Sequence, residues 1–217
     1  MSPEKVVTSE KNVDTSRLDW AKGDGLLPVI VQHWKNGEVL MLGYMNPRAL
    51  ATTQATGHVT FFSRSKQRLW TKGESSGHLL VLRSIKVDCD ADTLLISAEP
   101  LGPTCHEGST SCFGATVRPP LGFLADLDAL VASRHSDMPQ GSYTTSLFEG
   151  GVRRMAQKVG EEGVETALAA VAQSDDELLG ESADLVFHLI VLLRARGLSL
   201  VDVARVLAER HEKRVAP

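Results

Sequence analysis

The hydrophobic residues of the chain change their spacing once. From Leu26 to about Ile96 they fall in short runs rich in β-branched and aromatic side chains, LLPVIVQHW, EVLMLGYM, HVTFFS, HLLVLRSIKVDCD and TLLISAEP, separated by turn-forming residues. Such runs predict strands. Asn36-Gly37 separates the first two in the manner of a tight hairpin. One helix is predicted within the sheet at NPRALATTQATG, with Asn46 as cap, Pro47 at the first helical position and Gly57 at the end. Beyond Phe113 the pattern passes through GATVRPPLG, with its two consecutive prolines. The remaining segments, DLDALVASRHS, FEGGVRRMAQKVGEEGVETALAAVAQ, DELLGESADLVFHLIVLLRARG and SLVDVARVLAERHEKR, carry apolar residues three and four apart and predict helices. Gly197 suits a helix C-cap and Ser199 the N-cap of the last helix. The expected fold is α+β, a β-rich N-terminal domain followed by an all-α helical bundle, joined near residues 114 to 124. Neither an internal repeat nor a low-complexity tract is visible.

A length of 217 residues allows one large domain or two small ones, and the change of period favours two. With 42% hydrophobic and 23% charged residues, the chain has the composition of a globular protein rather than a disordered one. No apolar run approaches the roughly 20 residues needed to cross a bilayer. The N-terminus, MSPEKVVTSEKNVD, lacks a signal-peptide core, so a cytoplasmic protein is expected. The net charge of -4 leaves no basic footprint for nucleic acid, but admits anionic small substrates that arrive with divalent cations. Three cysteines, Cys89, Cys105 and Cys112, are an odd count without an export signal. Metal binding or burial is then a better account of them than a disulfide framework.

Asp88, Cys89, Asp90, Ala91 and Asp92 close a predicted strand, where alternation would set three aspartates on one face and Cys89 on the other. Three hard oxygens suit magnesium and a thiolate suits zinc, although an acidic turn after a strand is the commoner meaning of such a segment alone. Thirteen residues after Asp92 comes Cys105-His106-Glu107-Gly108, followed by Cys112-Phe113, in a loop rich in Gly, Ser, Thr and Pro. A lone cysteine is usually a buried small hydrophobe. Three beside a Cys-His pair suggest zinc with one open position, where a bound water ionises near about pH 7. His106 is then either a fourth ligand or a general acid/base.

The string SRSKQRLWTKGESSGH, then DCDAD, then GPTCHEGSTSCF, resembles phosphoribosyl-AMP cyclohydrolases in order and spacing over residues 17 to 115. The family often has Thr where Ser75 stands. The resemblance implies magnesium at Asp88, Asp90 and Asp92, zinc at Cys89, Cys105 and Cys112, and a homodimer whose zinc site draws ligands from both subunits. It also implies a reaction in which water adds to C6 of an N1-substituted purine and the N1–C6 bond opens, with His106 moving protons. Arg64, Trp70, Lys72, Glu74, Ser76 and His78 become expected contacts to phosphate, ribose or base. Apart from the motif, Arg64 and Lys72 would be ordinary surface charges and Trp70 ordinary core.

In the helical half, Lys158 precedes Glu161, Glu162 and Glu165, and sixteen residues after Glu165 comes Glu181, with Asp184 three further on. Residues three apart project from one helix face, so two such helices packed antiparallel across Gln173-Ser174-Asp175-Asp176 would bring four carboxylates together. Self-repulsion in such a cluster calls for cations, and magnesium is the natural one. Either pair alone is more often a solvated acidic face. Asp184, however, lies within the apolar run SADLVFHLIVLL, where a buried carboxylate would need a partner such as His188, itself as readily a satisfied core histidine. From Leu147 onward nine Lys/Arg face twelve Asp/Glu, so a polyphosphate here needs added cations.

KVGEEGVETALAA resembles phosphoribosyl-ATP pyrophosphatases over residues 144 to 211. This resemblance implies that Glu162, Glu165, Glu181 and Asp184, supported by Glu161, hold magnesium on the polyphosphate and activate water for attack between the α and β phosphorus atoms. Lys158, with Arg153 or Arg154, would contact phosphate. The product of that reaction is the substrate of the first, and fusion of the two activities is a known family arrangement. The expected organisation is a flexible tail over residues 1–16, a cyclohydrolase domain over 17–115, a linker with one helix over 116–143 and a pyrophosphatase domain over 144–217. The expected protein is a cytoplasmic bifunctional hydrolase of histidine biosynthesis acting on phosphoribosyl nucleotides with Zn2+ and Mg2+, without nucleic acid or membrane partners. Two other readings are a chain with one active domain and one dimerisation module, and a zinc-binding regulatory protein with structural cysteines.

Overall fold

The computed structural model describes residues 11 to 114 and 119 to 215. It divides into two compact units, Met1–Phe123 and Leu124–Pro217. The first contains β1 (Leu27–His33), β2 (Val39–Met45), α1 (Pro47–Thr56), β3 (Thr60–Ser63), β4 (Arg68–Thr71), β5 (Leu80–Val87) and β6 (Leu94–Pro100). A four-stranded sheet runs in the order β2-β1-β6-β5, and β3 pairs with β4 separately. β1 and β6 are parallel, and the other neighbours antiparallel.

Alternation builds the core. Leu27, Val29 and Val31 of β1 and Leu94, Ile96 and Ala98 of β6 are all fully buried, as residues two apart on one sheet face must be to exclude water together. α1 forms where its caps place it: the Asn46 side chain accepts from the Ala49 amide at 2.8 Å and Gly57 closes the helix in the left-handed region. Asn36-Gly37 lies in a longer connection, residues 34–38, where the Asn36 side chain accepts from the Glu38 amide at 3.0 Å. β4 was not expected, because only Leu69 and Trp70 of its residues are apolar. It forms by pairing Trp70 with Phe61 and Leu69 with Phe62.

The reading of Asp88 to Asp92 as a strand end is corrected. β5 stops at Val87, and the Asp88 carboxylate accepts from the amides of Asp92 at 3.0 Å and Thr93 at 3.1 Å, while Ala91 takes φ 60°. An aspartate that bonds the backbone ahead of it closes a turn, so the aspartates share no strand face. Of the stretch read as a tail, residues 1–10 lie outside the described residues. Val13 donates its amide to Gln54 at 2.7 Å, Leu18 is buried in the core, and the Asp19 amide bonds Ala91 at 2.8 Å.

The helices are α2 (Gly122–Asp137), α3 (Tyr143–Glu149), α4 (Gly151–Ala172), α5 (Asp175–Ala195) and α6 (Leu200–Val215). The segment expected as one helix from Phe148 is divided at Gly150-Gly151. α5 opens on a capping box, with Ser174 and Glu177 exchanging bonds, and Ser199 and Asp202 bond each other at the start of α6. Of the stretch read as a linker, residues 116–118 lie outside the described residues, whereas α2 contributes Val131 to the same core as Leu147, Met155, Ile190 and Val191. Asp128 on α2, almost wholly buried, forms a two-point ion pair with Arg194 on α5, one arm at 2.9 Å. Among the described residues, no helix is long and apolar enough to cross a membrane.

Leaving Arg194 unpaired in that setting is costly. Asp128→Ala should lower the stability of the helical unit by about 3 kcal/mol. Guanidinium denaturation followed by circular dichroism measures this, and the double change Asp128→Leu with Arg194→Met should recover most of the loss.

Candidate active sites

A cavity of about 480 Å³ opens at the end of the sheet where β6 finishes. Three segments build it: the turn after β4, carrying Lys72, Glu74, Ser76 and His78; the loop after β6, carrying Thr104, Cys105, His106 and Cys112; and Trp70 at the edge. The cysteine loop is tied down at β2, where the Cys112 amide bonds the Leu40 carbonyl at 2.8 Å and the Ser111 hydroxyl bonds the Val39 carbonyl at 2.7 Å. The Lys72 amide bonds the Val59 carbonyl at 3.0 Å, and the residue is buried. Gly73 has φ 85°, and a Cβ there would stand 2.4 Å from the His78 carbonyl carbon; a Cβ on Gly102 would stand 2.6 Å from the His78 ring. Two glycines thus let the chain close tightly around His78.

Of the residues expected to contact substrate, Trp70, Lys72, Glu74, Ser76 and His78 line this cavity, and Arg64 does not. Arg64 lies over the Tyr44 ring at 3.8 Å from its centroid, and Glu74 pairs with Arg68 at 2.6 Å. Cys105 and Cys112 line the same cavity and act on each other electrostatically. The Glu107 amide and the Ser109 hydroxyl hold the Cys105 thiol below its ordinary value, favouring thiolate, while burial and then the neighbouring Cys105 push Cys112 up. His106 stands beside Cys105, its Nδ1 at 3.9 Å from the sulfur. Thr104, not singled out from the sequence, is buried with its hydroxyl unpartnered at the cavity wall.

Cys89 is elsewhere. It is exposed at the turn between β5 and β6, against a second cavity of about 560 Å³. β6 runs between the two places, and its seven residues at about 3.3 Å each separate its ends by on the order of 20 Å. Two of the aspartates on that turn meet at one ammonium, since Lys22 pairs with Asp90 at 3.2 Å and more closely with Asp92, while Asp88 closes the turn.

In the helical unit Glu162 and Glu165 of α4 meet Glu181 of α5, each offering an oxygen within 4.8 Å of the others. Among the described residues, no other three His, Cys, Asp or Glu side chains come together in this way. Glu162 is buried; Lys158 donates to it at 2.7 Å and to Glu161 at 3.0 Å, and the first of these bonds holds the Glu162 carboxyl below its usual range. Desolvation, then the charges of Glu162 and Glu181, push Glu165 up. The expectation that Asp184 is buried is corrected: its side chain is exposed and is not among the three that converge, although three residues from Glu181 it shares that face of α5. His188 does not bond the Asp184 carboxylate. Its Nδ1 donates to the Asp184 backbone carbonyl at 2.9 Å, and its Nε2 bonds the Tyr143 hydroxyl at 3.0 Å. Tyr143, 45 positions away in sequence, was invisible to spacing arguments. Arg153 and Arg154 are exposed.

A Cys-His cavity on a β-rich unit and a carboxylate cluster on a helical one define a two-site hydrolase. Residues 41–114 match the family model described as phosphoribosyl-AMP cyclohydrolase, and residues 124–211 the one described as phosphoribosyl-ATP pyrophosphohydrolase. The histidine biosynthesis bifunctional protein HisIE of Xanthomonas axonopodis pv. citri is 69% identical over 90% of this chain and 93% of its own. HisIE of Xylella fastidiosa strain Temecula1 is 70% identical over 89% of this chain and 93% of its own, and that of Escherichia coli K12 is 59% identical over 90% and 96%. The chain belongs to this bifunctional HisIE family, whose two domains catalyse the second and third steps of histidine biosynthesis.

The packing around His78 makes a direct prediction. Gly73→Ala should lower cyclohydrolase kcat/KM by on the order of tenfold or more, with the pyrophosphohydrolase rate of the same preparation unchanged.

Proposed function

We propose that the two chemistries divide between the two sites, ring opening within residues 17–115 and pyrophosphate release within residues 144–217, with α2 an added part of the helical unit. What carries this reading is the separation of donor types: thiols, imidazoles and one buried lysine in the first cavity, and three converging carboxylates on α4 and α5 in the second. A cytoplasmic setting suits both the free thiols and a biosynthetic role.

The carboxylate cluster fits magnesium. Its donors are hard, already close, and charged beyond what Lys158 neutralises. When bound there, magnesium supplies charge neutralisation on the polyphosphate and a site for water. Glu162 and Glu165 would orient that water for attack between the α and β phosphorus atoms, releasing pyrophosphate and phosphoribosyl-AMP. Lys158 holds Glu162 in place and, on exchange of that partner, can meet phosphate. Asp184 and Glu161 stand near enough in sequence to complete the shell only after a side-chain movement.

Cys105 and Cys112 fit zinc, and a lowered Cys105 thiol is the form a soft cation takes. When bound, zinc supplies an acidified water for addition at C6 of the purine. His106 would take one proton of the attacking water and give it to N1 as the N1–C6 bond opens, while the second passes to the exocyclic nitrogen as C6 becomes the amide carbon. Lys72 faces a phosphate, and Trp70 and His78 the base and ribose. Asp88, Asp90 and Asp92 do not fit magnesium as they stand, since Lys22 occupies two of them and the third closes the turn, and no step is routed through them.

The third zinc ligand, Cys89, would come from a second copy, because β6 holds it away from Cys105 and Cys112 in its own chain. A homodimer also accounts for the apolar side chains left exposed on the helices, among them Val164 and Val171 on α4 and Leu179 on α5.

Product analysis with phosphoribosyl-ATP tests the division. Glu162→Gln should release pyrophosphate at under one hundredth of the wild-type rate yet open phosphoribosyl-AMP normally; full pyrophosphate release by this variant would overturn the assignment. Cys105→Ser should release pyrophosphate normally, accumulate phosphoribosyl-AMP and lose its zinc.

A further inference from the structure

Phosphoribosyl-AMP carries two phosphate monoesters, one on each ribose, and the riboses leave the purine from N9 and N1 on opposite sides of the ring. With C6 at the cysteines, the phosphates diverge and need separate cationic partners. The cavity at Cys105 and Cys112 offers Lys72, and the smaller cavity beside it, which shares Trp70, Glu74 and Ser75, adds Lys66 and an Arg68 already held by Glu74. These cations all come from the β3-β4 hairpin and the turn after it, and the far end of such a substrate needs a partner of its own.

The second cavity of the same unit, about 560 Å³, is lined by Cys89 together with Arg17 and Lys86. Among the described residues neither cation stands within 4 Å of a carboxylate, although the Arg17 charge acts on Asp14 from further off, whereas nearby Lys22 is held by Asp90 and Asp92. The two acids in the wall are already engaged: Asp14 accepts from the Ser16 amide at 2.9 Å and hydroxyl at 2.7 Å, and Asp88 from the amides of Asp92 and Thr93. The backbone that carries the exposed Arg17 is anchored, since Leu18 beside it is buried in the core and the Asp19 amide bonds the Ala91 carbonyl in the turn that carries Cys89. Lys86 follows the buried Ile85 on β5 and lies three residues before Cys89. The backbone segments that carry the two cations and the cysteine are therefore joined to one another.

The geometry points to Arg17 and Lys86 as a binding site for one terminal phosphate of phosphoribosyl-AMP, contributed in trans together with Cys89 to the cavity of the other copy. This rests on the reading that Cys89 of one subunit completes the Cys105 and Cys112 site of its partner. Each subunit would then grip one phosphate at Lys72 and hand its own Arg17 and Lys86 to the neighbouring site. Arg17 with its planar fork and Lys86 as a point charge suit a dianionic monoester.

Mixed dimers separate this proposal from the reading beneath it. Cys89→Ala and Cys105→Ala chains, each inactive in ring opening, are unfolded together, refolded as a mixture and assayed with phosphoribosyl-AMP. The mixed dimer holds one native site, whose Cys89 half comes from the Cys105→Ala chain. Regained activity is expected, and none would mean that the zinc site is not shared, taking the phosphate site with it. Arg17→Ala and Lys86→Ala are then added to one chain at a time. On the Cys105→Ala chain they should raise KM for phosphoribosyl-AMP at least tenfold with kcat changed less than threefold; on the Cys89→Ala chain they should leave KM as it was. A KM that ignores both changes, or responds equally on either chain, would overturn the proposal. The pyrophosphohydrolase rate of each mixture controls for folding.

Discussion

The length and direction of β6 govern the cyclohydrolase half of this molecule. The strand is buried at the centre of the sheet between β1 and β5, so its ends are fixed relative to each other. Beyond one end the Cys105–Cys112 loop is pinned to β2 by Ser111 and Cys112; before the other, Asp88 closes the turn that displays Cys89. A zinc ion with sulfur ligands at about 2.3 Å cannot bridge such a distance. The sheet thus holds Cys89 apart from Cys105 and Cys112 within one chain while fixing both places relative to each other.

The helical half solves a different problem. Three carboxylates on α4 and α5 repel one another, and the fold offsets this locally with Lys158 on the same helix face. His188, buried beside Glu162 with Nδ1 at 3.6 Å from its carboxylate, is held in place by the Asp184 carbonyl and the Tyr143 hydroxyl. α2 and α3 are therefore more than packing: α2 braces α5 through Asp128 and Arg194, and α3 brings Tyr143 to His188.

Periodicity made the two-part architecture legible, because burial on one face imposes period two on β1 and β6 and a three-to-four spacing on α4 and α5. Local chemistry made α1 legible, through Asn46, Pro47 and Gly57. What escaped was decided by contacts distant in sequence. β4 exists because Phe61 and Phe62 offer it a partner, not because Arg68 to Thr71 read as a strand. Asp88 could satisfy strand or turn, and its carboxylate found amide donors only once the chain reversed. Asp184 sits among apolar neighbours, yet its own direction on α5 leads to solvent. Motif order identified the residues around His78 and the cysteines, but Arg64 stacks on Tyr44, a pairing that no spacing rule encodes.

The claim on which this account turns is that one zinc ion is held by sulfur from two subunits. X-ray absorption at the zinc edge of the metal-loaded protein counts those ligands directly. Three sulfurs at about 2.3 Å per zinc, falling to two in Cys89→Ser, is the predicted result. Two sulfurs in the unaltered protein, with no change on replacing Cys89, would contradict it.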